Sequence, residues 1–158
     1  MEEKNYVMNN EGKYGKYIIQ TLQTPPLPPE FVEIYKQWGN RLLWMDGNVV
    51  PGAFQMNITW YHSAPDMRPL YKHDEHSHDF DELIGFIGSN PEDPYDLGGV
   101  IEFGINGELH RLTKSTLIFM PGGIKHLPLS IISLERPILH FSISMNSEYS
   151  YKPTTPEE

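Results

Sequence analysis

The residues best suited to chemistry stand in two short stretches, His76-Ser77-His78-Asp79-Phe80-Asp81-Glu82 and Pro121-Gly122-Gly123-Ile124-Lys125-His126. Alternate side chains of a β-strand share a face, so His76 and His78 project together, and Glu82 joins them if the strand runs on. His126, just past a Pro-Gly-Gly turn, opens a neighbouring strand and brings a further imidazole. Three neutral nitrogens and one carboxylate oxygen suit a divalent transition metal and leave positions for water or substrate. Two histidines on an exposed strand would by themselves be merely solvated. The in-phase Glu82 and the second stretch make the metal reading the better one. The chain has no cysteine, which excludes disulfides and thiolate sites, so nitrogen and oxygen must hold any metal. Zn, Fe, Mn, Ni, Co and Cu all fit this donor set, because the affinity order does not decide occupancy.

These side chains need a scaffold of strands. At 158 residues the chain makes one domain, large enough to enclose a core. Its 14 prolines and 13 glycines punctuate the sequence often, which suits short strands joined by turns. Residues 1–14 are polar and read as a flexible N-terminus, and the tail from Met145 to Glu158 reads likewise. Tyr17–Leu22 reads as a first strand, and the proline-rich run after Thr24 reads as a stiff arm. Glu30–Trp38 has a helical stripe that stops at Gly39. Strands follow at 41–46 and 53–62, then the strand of His76 and His78 continuing through 83–87, then 100–105, 108–113, 116–120, 126–132 and 136–144. Asn106-Gly107 between two of them is a two-residue hairpin code, because both positions need positive φ. Residues 88–99 form an acidic, breaker-rich loop, read either as a lid or as a solvated excursion. In the strand from Ala53, residues Phe54, Met56, Ile58 and Trp60 alternate with Gln55, Asn57, Thr59 and Tyr61, which suggests core on one side and a pocket on the other. The reading is an all-β domain with one short helix.

The spacing H-x-H-x-x-x-E followed by P-x-G-x-x-H resembles the two motifs of the cupin superfamily, across residues 70–130. The resemblance implies His76, His78, Glu82 and His126 as metal ligands, with Pro121 and Gly123 shaping the turn before the last. It implies a jelly-roll barrel of the double-stranded β-helix type over residues 15–144 and a homodimer, and the proline-stiffened N-terminal arm, able to cross to a partner subunit, points to a homodimer as well. Leu70 and Ser115 stand where the motifs open with glycine, and Ser130 replaces a closing asparagine.

Charge narrows the partners. With 12 Lys+Arg against 21 Asp+Glu, the chain offers no basic face for nucleic acid. It has no apolar run near the ~18 residues of a membrane span and no secretory signal, so the expectation is a cytoplasmic protein acting on a small molecule. A metal with open positions polarises an anionic or chelating oxygen ligand, which favours Lewis-acid chemistry in a lyase, isomerase, decarboxylase or cyclase. An Fe, Ni or Cu dioxygenase is the second reading, and a non-enzymatic sensing or binding module the third. Pocket-lining candidates are Gln55, Asn57, Tyr61, His62 and His140; no catalytic residue is singled out. His73 is out of phase with His76, and His110 lies on the exposed hairpin.

Overall fold

The computed structural model describes residues 6–23, 29–64, 75–146 and 152–153. Leu70, His73 and the proline-rich arm at 24–28 lie outside them. The described elements are a 3-10 turn at Gly15–Tyr17, α1 at Pro29–Lys36, and strands β1 Gly39–Met45, β2 Gln55–Tyr61, β3 His76–Ser77, β4 Glu82–Gly88, β5 Asp96–Ile105, β6 Glu108–Lys114, β7 Thr116–Met120, β8 His126–Leu134, β9 Ile138–Ser144 and β10 Lys152–Pro153. They form two five-stranded sheets, ordered β1-β2-β9-β4-β7 and β10-β3-β8-β5-β6, with every described pairing antiparallel.

The sheets close on a shared interior where Phe86, Phe103, Leu97, Ile101 and Ile138 are fully buried. Each such side chain contributes about 1.5–3 kcal/mol by leaving water. The edge-to-face pair Phe86–Phe103, 6.2 Å between centroids, joins one sheet to the other.

Register places the interior face of the first sheet in rungs. Glu82, Ser144 and Gln55 stand side by side; the next rung holds Ile84, Ser142, Asn57 and Trp44; the next Phe86, His140, Thr59 and Arg41; the last Gly88, Ile138, Tyr61 and Gly39. Successive rungs are about 7 Å apart. Helix α1 stops the Tyr61 end, with the Tyr35 hydroxyl 2.6 Å from Thr59 Oγ1 and Trp38, just beyond the helix, packed on Tyr61 at 5.3 Å.

The alternation in β2 is therefore present, but with the opposite sense to a usual barrel wall. The polar residues Gln55, Asn57 and Thr59 point inward, while Met56, Ile58 and Trp60 point outward with Leu139, Phe141 and Ile143 of β9.

Other expectations are corrected. Tyr17–Leu22 is not a strand: a 3-10 turn ends at Tyr17, and Ile18 and Leu22 stay exposed. Its β-forming residues have no ladder to join, and propensity without a paired neighbour does not hold an extended chain. The breaker-rich loop is shorter than 88–99, because Asp96–Gly99 belong to β5. Ser115 ties the turn: its hydroxyl accepts from the Gly88 N–H at 3.0 Å and donates to the Pro94 carbonyl at 2.7 Å. This loop leaves the end of β4 remote from Glu82. Within the segment read as a tail, Lys152–Pro153 pair with β3 as its edge partner.

Candidate metal centre

The four residues singled out by spacing meet at one end of the interior. His76 on β3 pairs directly with His126 on β8. The strand does not run on from His78, as the in-phase argument required. β3 stops at Ser77, the chain crosses between sheets, and Glu82 arrives as the first residue of β4 in the opposite sheet. Ligand atoms of His76, His78 and His126 all lie within 4.8 Å of one another. Glu82 Oε2 is 3.2 Å from His78 Nε2 and 3.4 Å from His126 Nε2. Metal–ligand bonds of about 2.1 Å place neighbouring ligand atoms some 3.0–3.4 Å apart, so these separations suit a shared cation.

Backbone contacts hold the two ligand-bearing segments together. The Gly123 N–H donates to the His78 carbonyl at 2.7 Å, and the Gly122 N–H donates to Asp81 Oδ1 at 2.9 Å. A side chain at Gly122 would sit 3.2 Å from the Phe80 backbone nitrogen, and Gly123 takes φ +85°. The Pro-Gly-Gly sequence thus serves close approach at one position and a left-handed turn at the next. His126 Nδ1 donates to the Ile124 carbonyl at 3.1 Å, which turns Nε2 toward the centre. His78 stacks on Phe80 at 4.8 Å, which fixes its ring plane.

Burial opposes a charged Glu82, yet the imidazoles of His126 and His78 that face it outweigh this and hold the carboxyl down at about 2. Oε2 nevertheless has no well-formed hydrogen bond among the described residues and is shut off from water. A buried anionic oxygen left in this state is costly, and a cation removes the cost. The residues therefore fit a divalent metal.

Away from the cluster, the interior wall stays polar. Gln55, on the Glu82 rung, accepts from the Ser144 hydroxyl through Oε1 at 3.2 Å, while its buried Nε2 has no partner among the described residues. Asn57 Nδ2 donates to Ser142 Oγ. His140 stacks between Tyr61 at 5.3 Å and Phe86 at 4.9 Å and donates through Nδ1 to the Gly85 carbonyl at 3.1 Å. Burial pushes it down to about 4, so it is neutral at pH 7. Tyr61 and His62 are not brought to the cluster. Six residue steps along β2 separate Tyr61 from Gln55, about 20 Å; Tyr61 is buried in the core, and His62 is exposed just beyond.

Arg41 is a residue that sequence reasoning missed. A bulge between Arg41 and Leu43 turns Arg41 inward opposite Thr59 while Leu42 bows out to solvent at 45% exposure. Its guanidinium lies over Tyr35 at 5.6 Å and Trp44 at 5.2 Å, and no carboxylate among the described residues pairs with it. Strict alternation puts Arg41 on the face of Leu43 and Met45, so only the bulge reveals its position.

Two antiparallel sheets closed face to face, with a His-His-Glu-His cluster at one mouth, make a double-stranded β-helix, the fold that the resemblance to the cupin motifs implies. No family model matches the sequence, and no curated protein does. Among solved structures, an uncharacterised double-stranded β-helix protein from Klebsiella pneumoniae is similar at 13% identity, covering 84% of this chain and 99% of its own, with a TM-score of 0.49. A cupin 2 domain-containing protein from Halorhodospira halophila is similar at 12% identity, with 75% and 69% covered and a TM-score of 0.48. A chain of the DMSP lyases RdDddP and RnDddQII is similar at 15% identity and a TM-score of 0.41; the match covers 66% of this chain and spans less than half, 45%, of the lyase. The fold assignment rests on strand order and the two ligand-bearing segments; these likenesses supply no substrate and no reaction. Among the described residues, no helix is long and apolar enough to cross a membrane.

Proposed function

We propose that His76, His78, Glu82 and His126 hold one divalent transition metal, and that the protein is an enzyme acting on a small anionic or chelating organic substrate by lyase, isomerase, decarboxylase or cyclase chemistry. The observation that carries this reading is Glu82 Oε2, buried, ionised and lacking a well-formed hydrogen bond, with two histidine nitrogens at 3.2 and 3.4 Å. The metal would supply Lewis-acid polarisation of a substrate oxygen.

The chain's own residues suit the rest of such a substrate. Arg41, a cation without a carboxylate partner among the described residues, offers its charge to an anionic group remote from the metal. Gln55 Nε2 is a buried donor in need of an acceptor. His140, neutral with its proton on Nδ1, keeps Nε2 to accept from a hydroxyl. α1 and the Phe86–Phe103 core close the far end and exclude water.

The test is elemental analysis of protein purified without added metal, followed by turnover of small hydroxy and keto acids beside an oxygen electrode. The expected result is near-stoichiometric metal and product formation with no oxygen consumed. Oxygen uptake matching substrate loss would replace the reading with a dioxygenase. Protein that neither carries nor takes up metal on titration would remove the centre, and metal with ligand-induced stabilisation but no turnover would leave a binding module.

A further inference from the structure

Three buried polar atoms without a well-formed hydrogen bond among the described residues fall along one diagonal of the interior wall. Glu82 Oε2 and Gln55 Nε2 stand on the first rung, and Arg41 Nε stands two rungs further on, at the β1 edge. Each is costly to bury in that state. The wall between them is small and polar. Ser144, Ser142, Asn57 and Thr59 occupy the positions that a line from Glu82 to Arg41 crosses or flanks, while the bulky Ile84, Phe86 and Ile138 lie to one side. These four already have partners: Ser144 pairs with Gln55 Oε1, Asn57 with Ser142, and Thr59 with Tyr35. The floor therefore asks nothing of a guest, and the unmet demand sits at its two ends.

Arg41 is fixed in place for a partner. Its guanidinium lies over the rings of Tyr35 and Trp44, which hold it but supply no negative charge. That charge opposes a proton on His140 of the same rung, as it does only from the inner side of the wall. An arginine fork matches the two oxygens of one carboxylate. Among the described residues Arg41 is the one cation on this wall, so a singly charged carboxylate balances it where a phosphate dianion leaves buried charge over.

We propose that this diagonal seats a two-ended acid, a dicarboxylate of about four to six carbons, with its near end at the His-His-Glu-His centre and its far carboxylate on Arg41. The near end rests on the metal reading above; the far end does not. The length follows from the register. Arg41 and Glu82 are two rungs and three strands apart, about 20 Å between Cα atoms. The two side chains and metal bonds of about 2.1 Å cover roughly half of this, and the remainder takes such a chain. Gln55 Nε2 then donates to an oxygen of the near end.

Calorimetric titration of the full chain, loaded with Zn, against malonate, succinate, glutarate and adipate tests the proposal, with butyrate as the single-ended control. Wild type should bind glutarate at least about tenfold tighter than butyrate, with malonate the weakest of the four diacids. Arg41→Met, which keeps an unbranched stem, should lose the preference for glutarate while binding butyrate as wild type does. Equal affinity for glutarate and butyrate in wild type would overturn the proposal, and that comparison needs no variant to fold. A preference that survives Arg41→Met would overturn it too. Protein stripped by a chelator reads the far end alone: millimolar glutarate at constant ionic strength should raise the melting temperature of wild type and leave that of Arg41→Met unmoved. That shift in a protein that takes up no metal would remove the metal reading and keep the Arg41 assignment. Metal uptake without the shift would remove the Arg41 assignment and keep the metal. Inorganic phosphate displacing glutarate at equal concentration would overturn the choice of a carboxylate.

Discussion

At the scale of single residues, Glu82 and His140 are opposite solutions to burying a titratable group. Glu82 keeps its charge because two imidazoles face it; His140 gives up its charge because rings cover it. Glu82→Gln exchanges an anionic ligand oxygen for a neutral one of the same shape. It should weaken metal retention about 10- to 100-fold with the far-ultraviolet dichroism unchanged, measured by competition against a chromophoric chelator. For His140 the sign follows from proton counting. Its native value near 4 lies below the ordinary 6.5, so as pH falls the unfolded chain takes up the proton first. Its contribution is intact above about pH 6.5 and is lost between there and pH 4. Unfolding free energies of wild type and His140→Gln from urea melts at matched pH should converge by about 3 kcal/mol over that window; a constant difference would count against a neutral buried imidazole.

At the scale of elements, irregularities do the positioning. Gly104 of β5 faces Leu127, where β8 departs from regular pairing with Leu127 at φ 78°. A methyl group at Gly104 would lie 2.7 Å from the Leu127 carbonyl oxygen and 2.9 Å from its carbon. Gly104→Ala should therefore cost about 1–3 kcal/mol in stability, and it should also weaken metal binding by about tenfold, because His126 adjoins the displaced residue. Calorimetry and chelator competition on the same protein check both.

Such irregularities also mark where sequence reading stops. The Asn106-Gly107 hairpin was legible because its chemistry is local, and both residues take positive φ, 47° and 84°. Strand β7 was legible from composition. The period of β2 was legible but its sense was not, since alternation says which residues share a face and nothing about which face turns inward. The four clustered residues were found although the continuous strand assumed to align them does not exist. Arg41 stayed hidden behind a bulge, and Tyr17–Leu22 looked like a strand because its residues favour one whether or not a partner is at hand.

At the scale of the molecule, a bound ion would act as a fastener between sheets, since Glu82 belongs to one while His76 and His126 belong to the other. Chelation should lower the melting temperature by about 10 °C, the consequence of losing roughly 4 kcal/mol of binding-linked stability at a thousandfold excess over Kd, and re-addition should restore it. An unchanged melting curve would argue against a centre shared by the sheets.

The hydrogen bond from Gly122 to Asp81 closes a loop of 41 residues, and the ligand set is complete only once that loop and both sheets are in place. Such long closures come late for a chain rich in distant pairings. An early chain therefore offers a passing ion only the His76/His78 pair, too weak a hold to trap it, and capture of metal during refolding becomes a clock for the final closure of the barrel.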